Sequence, residues 1–252
     1  MNYFTVKGVT IEREHQDFAQ YTTQAHCNWK QLLERQLESI EDKASQQFIK
    51  GLTKIRNFIE DIPHIPSLSQ FLQEHIGWQL WPVKGLLKSE YFFYLLSHRY
   101  FPVATFVRSG TDITYSPIPD LWHDIFGHIP LLFFPAYSNL IQYLSYQYIA
   151  REDLKEAITR LYWYTIEAGV CDEGGNRRIY GASQLSSIEE INYAVSDYPI
   201  VYPFDLEKVI DCPVKIDQLQ HQIFEISSLD YLNVIQYEFD RYIQCHCYLT
   251  RT

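Results

Sequence analysis

The stretch PDLWHDIFGHIPLL, residues 119–132, places two histidines five positions apart in a run that is otherwise apolar and helix-like. A helix facing the core rarely carries His123, Asp124 and His128 together without a reason. The bland account makes them polar residues on a half-exposed face, satisfied by neighbours or water. The sharper account is a metal site. On a regular helix five residues at about 100° each leave the two rings roughly 140° apart, so they converge only across a widened turn, or with one ring at a helix end near Pro130. Widened turns of this kind are frequent at functional sites.

Downstream, REDLKEAITRLYWYTIEAG (151–169) repeats Leu154, Ile158, Leu161 and Thr165 at intervals of four, three and four, the buried stripe of a helix that Gly169 ends. Glu167 falls in its last turn, where the helix macrodipole disfavours an acid. A cation nearby would explain it: a metal ion is one candidate, an Arg or Lys the other. Trp163 shares the Glu167 face and reads as a pocket wall. Two imidazoles and a carboxylate form the donor set of non-heme Fe(II) oxygenases, with positions left open for water, dioxygen or substrate. Zinc held by the same residues for a hydrolytic reaction stays open at this point.

The rest of the chain bounds these readings. It has 252 residues, 46% hydrophobic and 16% aromatic, which suits one large packed domain and excludes a disordered chain. A formal charge of −10 with no Lys/Arg run argues against a nucleic-acid partner. No basic-plus-apolar leader and no 18-residue apolar run is found, so a soluble, cytosolic protein with no membrane partner is expected. Five scattered cysteines fit reduced thiols. The cluster Cys245-His246-Cys247 admits a zinc reading but has no second ligand pair at zinc spacing.

The expected architecture is mainly α, one helical catalytic domain with a few short strands. An N-terminal arm over 1–21, with YFTVKGVTI (3–11) strand-like, leads into a domain over 22–252. Residues 24–55 read as one or two amphipathic helices with Gly51 as a stop or break. Ser67 is the expected N-cap of a helix in 62–75, and Ser89 opens another, with Glu90 in its first turn. A strand or loop is expected within 77–87, a strand within 101–109, a loop over 110–120, and helices over about 119–129, 136–150, 152–168 and 188–195.

PDLWHDIFGHIPLL, then LYWYTIEAG (161–169) and YGASQLSS (180–187), resemble the pterin-dependent aromatic amino acid hydroxylases, the bacterial phenylalanine 4-hydroxylase branch in particular. The likeness extends back through WPVKGLLKSEYFF (81–93) and VRSGTDITYSPIPD (107–120) and forward through YPFDLEK (202–208). It implies a monooxygenase that hydroxylates an aromatic amino acid ring with O2, Fe(II) and tetrahydrobiopterin or a related tetrahydropterin. By motif, His123, His128 and Glu167 match iron ligands. Arg108 matches the grip on the substrate carboxylate, Asp120 its brace, and Ser186 a serine beside the substrate and a metal-bound histidine. Trp163 and Pro119 match the aromatic pocket; Gly85, Leu87, Phe92, Asp124 and Tyr162 match pterin positions, with Phe92 stacking on the ring.

This sequence departs from the family at several positions. Ala168 stands where phenylalanine is usual, an expected widening of the pocket; Ser183 replaces a glycine; Asp124 replaces the glutamate of the animal enzymes. Without a regulatory domain or a C-terminal heptad helix, a monomer or dimer is expected. Trp163 and the apolar Ile216 favour conversion of phenylalanine to tyrosine. Hydroxylation of tryptophan or another aromatic amino acid, or an idle binding relative, remain the alternatives.

Overall fold

In the computed structural model of the chain, described for residues 3–6, 8–109, 113–114, 116–215 and 218–249, helices dominate. A β-hairpin, β1 (Tyr3–Val6) and β2 (Val9–Glu12), opens the chain. Its alternation puts Phe4, Val6 and Ile11 against Trp81, Val83 and Leu95, a small core separate from the main one. The strand-like reading of 3–11 therefore stands, and the arm is anchored by its own apolar face.

α1 (Thr23–Ile40) and α2 (Gln46–Ile55) follow. The break between them is not at Gly51. Asp42 takes a left-handed conformation with φ of 58°, which a short polar side chain tolerates, and Ser45 caps α2 by accepting from the Phe48 N–H. Gly51 sits inside α2 because that helix meets the Pro130 backbone: a Cβ there would lie 1.8 Å from the Pro130 carbonyl oxygen. α3 (Ile65–Ile76) has His64, not Ser67, at its N-cap; the ring nitrogen accepts from the Ser67 N–H, and Pro66 fills a first-turn position where no N–H is needed.

β3 (Gln79–Val83) and β4 (Tyr100–Ala104) pair in parallel on either side of α4 (Ser89–Ser97). Both strands carry a proline, tolerable in a two-stranded ribbon where one side of each strand makes no ladder bond. Ser89 is the first helical residue of α4, Lys88 holds the cap position, and no side chain caps it. The single turn α5 (Ile129–Leu132) and the longer α6 (Pro135–Ala150) come next, then α7 (Lys155–Tyr162).

A four-stranded sheet, order β6-β5-β8-β7, is formed by β5 (Val170–Asp172), β6 (Arg177–Ile179), β7 (Ile200–Pro203) and β8 (Gln222–Ile226). β5 and β8 run parallel although about fifty residues separate them, a pairing that local sequence pattern does not encode. Between these strands lie α8 (Ala182–Leu185), α9 (Ile188–Val195) and α10 (Leu206–Asp211), and α11 (Tyr231–Leu249) closes the fold against α6. Among the described residues no helix is long and apolar enough to cross a membrane. Cys245 is exposed on α11, while the side chains of His246 and Cys247 lie outside the described residues.

Candidate metal centre and its cavity

The widened turn is present twice. Residues His123–His128 form a π-helical turn that runs directly into α5, and Trp163–Glu167 form a second one at the end of α7, where the Ala168 N–H reaches back five residues to the Trp163 carbonyl at 2.8 Å. Each inserts extra backbone into a helix and turns a donor side chain inward. His123 Nε2 and His128 Nε2 face each other at 3.2 Å; Glu167 lies 3.7 Å from the first and 3.3 Å from the second. One donor atom from each of the three lies within 4.8 Å of the others.

The outer sides of both rings are held by hydroxyls whose own protons go elsewhere. Ser186 Oγ donates to the Ser183 carbonyl at 3.1 Å and so accepts from His123 Nδ1 at 2.9 Å. Tyr137 Oη points its proton at the Ile166 carbonyl, 3.5 Å away, and accepts from His128 Nδ1 at 3.4 Å. This network assigns the proton to Nδ1 on each ring, leaving both Nε2 lone pairs turned toward Glu167. Burial pulls the His123 pKa down to about 4, against the opposing pull of Glu167. Burial pushes the Glu167 carboxyl up, but the His128 and His123 rings outweigh it and the net shift is downward. A neutral imidazole beside an ionised carboxylate is the protonation state a divalent cation needs. Among the described residues the only ion-pair partners of Glu167 are these two histidines, so the cation that its position in the last turn calls for is not an Arg or Lys. The donor set therefore fits a metal.

Gly127, in the first π turn, allows α8 to approach: a Cβ there would stand 2.6 Å from the Ala182 carbonyl oxygen. That contact brings Ser186, just beyond α8, to His123, and the Trp122 indole N–H ties the same segment at the Ser186 carbonyl, 3.0 Å away.

The three donors open into a cavity of about 420 Å³. Arg108 lies on its wall and is held from behind by Asp120, which is fully buried. Nε and Nη2 of Arg108 donate to the two Asp120 oxygens at 3.0 and 2.8 Å, the Arg108 N–H donates to Oδ2 at 2.8 Å, and Nη1 donates to the Ile113 carbonyl at 3.3 Å. Asp120 also takes the His123 N–H at 3.2 Å, so one carboxylate fixes both the guanidinium and the start of the π turn. Trp163 and Pro119 line the same cavity, as do Gly85, Leu87, Phe92, Asp124 and Tyr162. Asp124 accepts from the Ala104 N–H at 2.7 Å, and burial holds its carboxyl well above the usual range. Phe92 meets Tyr162 edge to face at 5.7 Å. Tyr162 Oη and Trp163 Nε1 are buried without a hydrogen-bond partner among the described residues, a vacancy that a polar ligand in the cavity would fill. Twelve of the thirteen sequence-derived site residues thus share one wall, and Asp120 stands directly behind it.

One expectation changes. Ala168 is fully buried and is not part of the cavity wall, so its small side chain does not widen the pocket. Ile216 lies outside the described residues. Tyr137 and Glu190 are additional members of the site. Glu190 lines the cavity, yet in sequence it stands three residues after Ser187 and reads as the acidic member of a capping box; Tyr137 reads as one more buried aromatic on α6.

The family model described as biopterin-dependent aromatic amino acid hydroxylase matches residues 12–246. The chain belongs to that family. It is 34% identical over 226 residues to the phenylalanine-4-hydroxylase of Pseudomonas aeruginosa, covering 89% of this chain and 86% of the relative. Among solved structures, the Chromobacterium violaceum phenylalanine hydroxylase with bound iron(III) and oxidised cofactor 7,8-dihydrobiopterin superposes with a TM-score of 0.85 at 31% identity, covering 91% of this chain and 84% of that one. The Legionella pneumophila phenylalanine hydroxylase gives 0.81 at 35% identity, covering 86% and 91%.

Proposed function

We propose that this hydroxylase converts L-phenylalanine to L-tyrosine with O2 and a tetrahydropterin, at Fe(II) held by His123, His128 and Glu167. The observation that carries the reading is the pairing of that donor set, both of its imidazoles protonated at Nδ1, with a pre-braced guanidinium on the same cavity wall. Ferrous iron and a reduced pterin together supply the electrons that triplet dioxygen needs before it reacts with a closed-shell ring.

The chain's own residues do the positioning. Arg108 receives the substrate carboxylate with the guanidinium N–H groups that Asp120 leaves free, a bidentate geometry that Lys does not reproduce. Trp163 and Pro119 wall the aromatic ring and keep water from it. Phe92, Tyr162 and Leu87 receive the flat pterin, with Gly85 and Asp124 at its polar edge. The relatives named above as phenylalanine hydroxylases, and the Trp163 that phenylalanine hydroxylation favours, support the choice of substrate. The same reading has the enzyme working in the cytoplasm as a monomer or dimer, with residues 1–21 as an arm on the catalytic domain; light scattering on the purified chain checks the assembly.

Aerobic incubation of the protein with Fe(II), tetrahydrobiopterin and each aromatic amino acid in turn, with products read by mass spectrometry, tests the proposal. A single oxygen gained on phenylalanine is expected; product on tryptophan alone overturns the substrate, and no product on any amino acid overturns the activity. Arg108→Lys is expected to raise the KM for phenylalanine roughly 30-fold, corresponding to about 2 kcal/mol for charge-assisted bonds lost, with kcat much less affected. An unchanged KM removes Arg108 from substrate binding.

A further inference from the structure

Ser187 caps α9 and accepts from the Glu190 N–H at 3.3 Å. In a capping box the acid at that position returns the favour by accepting from the cap residue's own N–H. Here the Ser187 N–H donates instead to the Gln184 carbonyl at 3.2 Å, and the Glu190 carboxyl turns to the cavity, where Oε2 lies 3.3 Å from Ser183 Oγ. The residue it reaches stands where the family resemblance places a glycine, so no such hydroxyl belongs to the common pattern.

Ser183 is linked to two of the metal-donor residues, to Glu167 directly and to His123 through Ser186. Its hydroxyl is 2.8 Å from the Glu167 carbonyl oxygen, and its own carbonyl takes the Ser186 proton, which frees Ser186 to hold His123. A serine hydroxyl has one proton and two acceptors stand within its reach, Glu167 O and Glu190 Oε2. Both contacts are satisfied together only when Glu190 is the donor to Ser183 Oγ and the hydroxyl gives its own proton to Glu167. Burial, with the Glu167 charge adding to it, lifts the Glu190 carboxyl to about 7, so a large share of it carries that proton near neutral pH.

We propose that Glu190, acting through the Ser183 hydroxyl, is a positioning residue that fixes the backbone at Glu167 and with it the reach of that carboxylate to the metal. The inference rests on the metal-site reading given above. It assigns a task to two side chains outside the metal-donor set, one of them, Ser183, standing where the family resemblance places a glycine.

Titrating the full-length apoprotein with Co(II), followed by its visible absorption bands, tests the role without reference to turnover. Glu190→Ala is expected to weaken Co(II) binding about tenfold, the lower end of what loss of a ligand's outer partner costs, and to shift the Co(II) bands. Glu190→Gln, whose amide still donates to Ser183 Oγ, is expected to restore affinity to within about twofold of the parent, by the same donor argument. Ser183→Ala should reproduce the Glu190→Ala loss, and the double variant should lose no more than either single one. Unchanged Co(II) affinity in Glu190→Ala overturns the proposal even if its melting temperature falls, as does a Glu190→Gln variant as weak as the alanine, or losses that add. A parent protein that binds no Co(II) at all defeats the metal-site reading itself, a distinct result.

Discussion

Glu167→Ala is expected to lower phenylalanine hydroxylation by about a thousandfold or more and to leave the protein unable to retain iron at stoichiometric levels. Its carboxylate is the one anionic donor in the set and the only charge there that offsets a divalent ion. Removing it leaves two neutral imidazoles, about 3 Å apart, to hold the cation alone. A loss of about 4 kcal/mol in transition-state stabilisation corresponds to the thousandfold figure. The fold should survive, because Glu167 is held in place by backbone contacts, Ala168 N–H to Trp163 O and Ser183 Oγ to Glu167 O, that alanine also makes. Because the His128 and His123 rings hold the Glu167 carboxyl below its ordinary range despite burial, removing it takes away a favourable contribution at neutral pH, so a modest fall in the apoprotein's melting temperature is expected. Iron content after anaerobic Fe(II) loading and desalting, read together with tyrosine formation, checks both halves. A variant that holds one iron per chain as tightly as the parent means the metal sits elsewhere.

Gly51→Ala should cost more stability than any conservative surface change, although alanine is the better helix former by up to about 1 kcal/mol. The added methyl would meet the Pro130 carbonyl oxygen at 1.8 Å, its carbon at 2.5 Å and its Cα at 2.9 Å. These are backbone atoms of α5, and no side-chain rotation relieves them. α2 must therefore shift away from α5, and overpacking of this kind costs about 3 kcal/mol or somewhat more. The net effect, about 2 kcal/mol or more, lowers the melting temperature of a chain this size by roughly 4–8 °C. Pro130 follows His128 by two residues, so the displacement also reaches the metal donors. Calorimetry of apo and iron-loaded forms is the measurement: an alanine variant melting at or above the parent shows that the two helices are not locked at this contact.

Gly51 also marks a limit of what the chain reveals before it is folded. A glycine inside an amphipathic pattern reads as a break because its conformational freedom is a local property, whereas the neighbour that requires it is eighty residues away in sequence. Ser67 fails as a cap for a related reason: the His64 ring nitrogen does the accepting, a role not written into residue type. The four-stranded sheet is built from three- to five-residue strands paired across long separations, so its order is carried by tertiary packing. The site was more legible. Its angular mismatch between His123 and His128 could be worked out from helix geometry alone, and the acid at the end of the helical pattern in 151–169 called for a positive partner. Arg108, Phe92, Leu87 and Ser186 carry no such signal in isolation; only the motif order in which they occur singles them out. Glu190 carried a misleading one, since its spacing from Ser187 has a sufficient local explanation.

The π turn at His123–His128 also resets the angular phase of everything that follows it. One extra residue rotates the next helix by about 100° relative to the preceding one, so a helical wheel drawn straight through 121–132 spreads apolar side chains around its whole circumference, and nearly all of these residues are indeed buried. The Pro130 carbonyl faces Gly51 in that rotated frame. Excising a single residue from the turn would therefore yield a more regular helix that presents the wrong edge to α2, so the irregularity that gathers the donors also sets how two distant parts of the chain are joined.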